Sequence, residues 1–227
     1  MRISDLSKRT GVPVATIKFY LREGLLPPGQ PTGRNQARYG ESHRRQLFFI
    51  RALTGIGQLE LSSVLELLSA IDDDRPPLSD LYAAVSRAIH PQDSGSTADN
   101  DVELVRQEVD RFIGALGWTV DPAAPGRARL ARVVYALRQL GCGDGIDFFR
   151  PYALLAEQFA DRELSLLPTD GDVDRGAAAA RAVLFDVALS ALRGMAQEHL
   201  AAQRFGRIAP EPRDERADEP QVPSVRS

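Results

Sequence analysis

The chain has 227 residues, 43% of them hydrophobic and 26% charged, a composition that buries a proper core as one large domain or two small ones. No apolar run reaches membrane-spanning length and the opening MRISDLSKRTG lacks the apolar core of a secretory leader, which predicts a cytoplasmic protein with no membrane partner. The formal net charge of −3 conceals a split, because residues 1–51 hold ten basic and three acidic side chains (+7) while the remainder carries −10, the pattern of a polyanion-binding front end on an acidic body.

The elements follow in chain order. Ile3 and Leu6 give a first short helix an apolar stripe, with Ser4 as candidate N-cap and Gly11 as its stop. Val12 and Pro13 form a tight turn, and a second helix is predicted from Val14 to Glu23, with Val14, Ile17, Leu21 and in part Tyr20 on one face. Two short helices joined in this way make a helix-turn-helix pattern. Leu25 and Leu26 read as a short strand and Ala37, Arg38 and Tyr39 as a returning one. The intervening Pro27, Pro28, Gly29, Pro31 and Gly33 favour a projecting loop, a wing tipped by Arg34, Asn35 and Gln36. A third helix is predicted over about Glu41–Leu53, broken at Gly55 and Gly57. A fourth spans about Leu61–Ala70, capped by Ser62 or the turn before it, and Asp72–Asp80 reads as a solvated joint. Further helices are predicted near Ser79–Ile89, Asn100–Leu116, Ala128–Leu140, Phe149–Leu164 and Arg175–Phe205, separated by segments rich in glycine, proline and aspartate. From Gly206 the tail is proline-rich, charged and without apolar period, so it is expected to be disordered.

The segments ISDLSKRTGVPVATIKFYLREGLLPPG, RNQARYGESHRRQLFFI and GQLELSSVLELLS resemble, in order and spacing, the DNA-binding domain of MerR-family regulators. The resemblance covers the first third of the chain. Pro13, the Lys18-Phe19-Tyr20 triplet and Leu21 depart mildly from the family pattern. It implies an all-α protein with a small two-stranded wing, divided into a winged helix-turn-helix (1–71), a helical dimerisation or effector domain (72–205) and a tail (206–227). It further implies a homodimer that binds double-stranded promoter DNA, distorts it for RNA polymerase and thereby controls transcription, with a small-molecule effector as a further partner.

Elementary groove geometry supports the same roles, since the major groove of B-DNA admits one helix and the second helix of such a unit lies in it. Thr16 is placed to meet a base edge or phosphate, and Lys18 and Arg22 flank that face at phosphate reach. Phe19 fits a sugar or thymine contact and Tyr20 a phosphate contact through its hydroxyl, with simple core packing as the alternative for each. Arg34, Arg38 and Tyr39 of the wing resemble backbone or minor-groove contacts, and Arg44 is expected to meet phosphate.

Relatives dimerise through a long helix directly after this domain, whereas the helix after Pro77 is short and closed by Pro91. The helix Arg175–Phe205 is therefore a candidate dimer element, with packing inside a monomer as the alternative. Trp118, Tyr135, Phe148, Phe149, Tyr152, Phe159 and Phe185 could line an effector pocket or fill the core. Cys142, the single cysteine, reads as a redox switch or a plain loop residue. It leaves no paired thiolates for mercury- or copper-type sensing, and His43, His90 and His199 lie far apart. No HExxH, GxSxG or Walker motif is present, so no cofactor and no enzymatic activity are expected. The alternatives are a DNA-architectural protein without effector control and an enzyme with its site in the helical domain.

Overall fold

A computed structural model describes residues 1–33, 36–91, 100–142, 145–168 and 173–206. The chain divides into two compact units, Met1–Val187 and Ala188–Ser227. The fold is all-α with one two-stranded wing. The order is α1 (Ile3–Thr10), α2 (Val14–Arg22), β1 (Gln30–Gly33), β2 (Gln36–Arg38), α3 (Glu41–Arg51), α4 (Leu61–Asp72), α5 (Leu78–Ile89), α6 (Asn100–Leu116), α7 (Pro125–Gln139), α8 (Arg150–Leu164) and α9 (Arg175–Phe205).

The front of the first unit is fixed by short-range chemistry. α1 starts at Ile3 rather than after Ser4, because the Asp5 carboxylate accepts from the Arg2 N–H at 3.0 Å and closes the helix start two residues earlier. The turn into α2 is locked from both sides: Thr10 Oγ1 donates to the Leu6 carbonyl at 2.8 Å and Ser7 Oγ to the Val12 carbonyl at 2.6 Å. Leu25 and Leu26 are not a strand. Both are buried, and their backbone is satisfied outside any ladder, by a Leu26 N–H donating to the Tyr20 carbonyl (3.1 Å) and by Gln46 Nε2 donating to the Leu25 carbonyl (2.8 Å). Two consecutive side chains cannot both face one side of a strand, so the ladder forms further on. Antiparallel pairing sets Gln30 opposite Arg38 and Pro31 opposite Ala37. Gly29 lets this hairpin close, since a Cβ there would lie 2.9 Å from both the Arg38 carbonyl and the Tyr39 ring.

α3 passes into a π-helical turn, Ala52–Ile56, running through Gly55 and ending at Gly57. α4 is preceded by Glu60 in extended conformation, so Ser62 lies inside the helix rather than at its cap. α7 begins three residues before Ala128, with Pro125 in its first turn, where a missing N–H costs nothing. A 3-10 turn, Ile146–Phe149, leads into α8. The expected spans of α6 and α9 agree with the observed ones residue for residue.

The first unit has two cores. One joins Leu6, Ile17, Leu25, Leu26, Leu47, Ile50 and Leu53 of the front to Val64 and Leu67 of α4, Leu81 and Val85 of α5, and Ala178, Ala179 and Val183 of α9. It therefore runs across residue 71 without a break. The other lies within α6–α8, built on Val105, Val109, Phe112, Ala131, Val134 and Ala153. Arg138 grips Glu108 with two bonds of 3.0 and 2.6 Å to hold α7 on α6. At the start of α9, half-buried Arg175 donates to the carbonyls of Ala70 (3.1 Å) and Pro76 (3.0 Å), tying that helix to the α4–α5 joint. In the second unit, every residue from Ala188 to Gly206 is exposed.

Candidate nucleic-acid interface

The interface is assembled by three segments that meet at the base of the wing. The Met1 ammonium donates to the Tyr39 carbonyl at 2.8 Å, and the Tyr39 N–H donates back to the Met1 carbonyl at 2.9 Å. This reciprocal pair draws the start of the chain against the end of β2. A concavity of about 880 Å³ results, lined by Met1–Ile3, Asp5, Lys18 and Leu21 of α2, and the facing residues of both wing strands up to Tyr39. Its charged side chains are Arg2, Lys18 and Arg38 against Asp5, whose carboxylate is already engaged by the Arg2 N–H. A concave surface with surplus cations focuses potential toward an anion.

The expected site residues differ in how they are held. Lys18 and Arg38 are exposed and have no ion-pair partner among the described residues. Arg22 is exposed but is bonded to Glu23 at 3.0 Å, with its guanidinium 5.3 Å from the Phe19 ring centre. Arg44 is half-buried, bonded to Glu41 at 2.6 Å and set 5.8 Å from the Phe48 ring. Arg9 approaches the same Glu41 at 3.7 Å. Among the described residues of the expected site, Lys18 and Arg38 are thus the cations that a phosphate meets without displacing a carboxylate.

Thr16 is half-buried on α2. Phe19 packs partly against the front core and Tyr20 is buried in it, the two rings 5.9 Å apart. Tyr39 is buried as well, edge-on to His43 at 5.2 Å. His43 Nδ1 accepts from the Gly40 N–H at 3.1 Å and so caps α3, while its buried Nε2 has no partner. Tyr39 and His43 thus hold the end of the wing against the start of α3, while Tyr20 belongs to the core of the front helices. Arg34, predicted at the wing tip, lies outside the described residues.

Arg2 was absent from the sequence-based set. Its position ahead of α1 says nothing about the wing, and only the surplus of cations in the first 51 residues hinted at it. The aromatic group predicted for a pocket or core divides. Trp118, Tyr135 and Phe149 pack on the α6–α8 core, Phe148, Tyr152 and Phe159 are exposed, and Phe185 is half-buried. Cys142 is exposed, with Sγ 3.4 Å from the Leu140 carbonyl.

The sequence model of the MerR helix-turn-helix regulatory protein family matches residues 1–71. The chain is 36% identical over 69 residues to an HTH-type transcriptional regulator, a ZntR homolog, of Haemophilus influenzae, a match covering 30% of this chain and 50% of that one. It is 31% identical over 81 residues to the mercuric resistance operon regulatory protein of Bacillus cereus, covering 36% and 61%. The chain thus spans about half to three fifths of the length of these curated relatives. A likeness over nearly the whole chain joins it to the crystal structure of SCO5550, a proposed transcriptional regulator of Streptomyces coelicolor A3(2). Identity there is 38%, the TM-score is 0.65, and the match covers 91% of this chain and 99% of that one.

Proposed function

The chain belongs to the MerR family of helix-turn-helix regulatory proteins, and on that premise we propose that it is a transcription regulator which docks α2 in the major groove of duplex DNA and lays the wing along the adjoining backbone. Lys18 and Arg38 are assigned to phosphates, and Thr16 to a base edge or phosphate. Arg22 and Arg44 contribute charge after sharing it with Glu23 and Glu41, and Phe19, Tyr20 and Tyr39 set the geometry beneath. The observation that carries this reading is the concavity between the chain start, α2 and the wing, with its unpaired Lys18 and Arg38.

One helix-turn-helix reads few base pairs, so the protein acts as a homodimer on paired half-sites. Distortion of the bound duplex for RNA polymerase, a small-molecule effector, a non-enzymatic role and a cytoplasmic location complete the proposal. Among the described residues no helix is long and apolar enough to cross a membrane.

The test is binding of a fluorescent duplex across a salt series. Each lost phosphate contact lowers the slope of log K against log salt by about 0.9. Lys18→Ala and Arg38→Ala each flatten it by that amount for every protomer bound, with the fold intact by urea unfolding. No duplex binding at low ionic strength, or unchanged slopes in both variants, overturns the proposal.

A further inference from the structure

The apolar face of α5 is spent inside the protein's own core: Leu81, Ala84, Val85 and Ala88 are buried among the front helices and α9. The helix directly after the DNA-binding domain, where the resemblance places the dimer contact, therefore has no apolar face left for a partner. The end of α9 is the reverse case. From Ala188 onward no residue is buried, yet the segment carries Leu189, Leu192, Met195 and Leu200, at 38%, 60%, 58% and 44% exposure. At 3.6 residues per turn these four, with Ala188 and Ala196, fall within an arc of roughly 140°. Such a stripe, on a helix end that carries Gly194 near its middle and no buried residue, gains its stability from a partner that covers it.

We propose that the Ala188–Phe205 part of α9 is the dimerisation element, and that its occupant is the same segment of a second copy. This rests on the homodimer reading above and adds its location. Area favours a second copy. The stripe offers on the order of 400 Å² of apolar surface, and at the roughly 60% apolar share of an interface this corresponds to about 650 Å² per partner, at the lower end of specific protein interfaces. Charge agrees, because the segment carries only Arg193, Glu198 and Arg204 as permanent charges. Two copies barely repel each other, and the cationic face needed for a lipid surface or a nucleic acid is missing.

The experiment is sedimentation equilibrium of the full chain at micromolar concentration, comparing Leu192→Glu/Met195→Glu with Tyr152→Ser/Leu155→Ser on the exposed face of α8. Wild type and the α8 variant sediment as dimers. The α9 variant has its dissociation constant raised by about 100-fold or more, because two carboxylates per chain enter an apolar contact without partners. Urea unfolding of the first unit is unchanged in that variant, which separates lost pairing from lost fold. An α9 variant that stays dimeric overturns the location and leaves the homodimer standing. A wild type that stays monomeric both free and on duplex DNA overturns the homodimer and the location with it.

Discussion

Gly57→Ala is the substitution whose outcome is decided most directly by the packing of α9 on the front domain. Gly57 has φ of −70° and ψ of −15°, values open to any residue. On backbone grounds alone, alanine would stabilise by about 0.4–1 kcal/mol through a less flexible unfolded chain. The folded state opposes this, since a Cβ at Gly57 would lie 2.7 Å from the Leu53 carbonyl oxygen and 2.7 Å from Val183 Cγ1. Carbon atoms prefer 3.5–4.0 Å, so α9 must retreat by about 1 Å and the Leu53 carbonyl must also turn away. That carbonyl accepts the Leu59 N–H at 2.9 Å, the bond that closes the turn after the π segment. Overpacking of this kind costs about 1–3 kcal/mol, so the clash wins. Urea unfolding should show a net loss of about 1–2 kcal/mol, equivalent to roughly 2–8 °C in a chain of this size. Val183→Ala removes one of the two clashing atoms, so the double variant should be less destabilised than the sum of the singles by about 1 kcal/mol. Strictly additive losses, or a Gly57→Ala protein as stable as wild type, would refute the reasoning.

Three titratable groups give further outcomes. Glu163 has its pKa raised above 4.5 by burial and then by Asp186. The folded state therefore holds its proton more tightly than the unfolded one, and ionisation costs stability as pH rises through the raised value. Glu163→Gln should raise Tm at pH 7, with the gain vanishing below about pH 4.5, read by thermal denaturation across pH. His90 is held below 6.5 by burial, then by Arg129, whose Nη1 stands 3.2 Å from His90 Nδ1. The unfolded chain therefore takes up that proton first, and stability falls as pH drops below about 6.5. His90→Gln should flatten that acid limb, and an unchanged limb would remove His90 from the account. The carboxyl of Glu108 is lowered chiefly by its bonds from Arg138, and the pair is partly exposed. Glu108→Gln should cost only about 0.5 kcal/mol at pH 7 and nothing below the ordinary carboxylate range.

The elements were legible wherever local signals agreed. α6 and α9 have amphipathic runs bounded by breakers, and α1 ends at Gly11 as its place in the sequence predicts. The wing misled for a definite reason. Leu25 and Leu26 form the most strand-like doublet of that region, but their hydrophobicity serves the core, while β1 is built from Gln30–Gly33, which carries no apolar alternation. Of the candidate site, the places of Lys18 and Arg38 beside the concavity agree with the expectation from charge and spacing. The contribution of Arg2 could not be read in that way, because it depends on the backbone pair between Met1 and Tyr39. Nor could the return of α9 to the front core. A small-residue patch such as Ala178 and Ala179 suits close helix packing without naming the partner, and the match of Gly57 to Val183 exists only in three dimensions.

That return changes how a signal would reach DNA. α6–α8 carry their own core and lie in sequence between α5 and α9, both of which are rooted in the core that holds α2. The α6–α8 helices are therefore linked at two points to the core that holds α2. One is the end of α5, where His90 meets Arg129 of α7. The other is α9, whose Val183 bears on Gly57 and whose Arg175 clamps the α4–α5 joint. A close-packed core transmits a displacement instead of absorbing it. An effector would still need unequal affinity for two arrangements of these contacts to shift their balance. The Gly57→Ala and Val183→Ala pair bears on this directly. If α9 is the transmitting element, loosening it at Val183 should weaken any coupling between the α6–α8 unit and duplex affinity while leaving the salt dependence set by Lys18 and Arg38 intact.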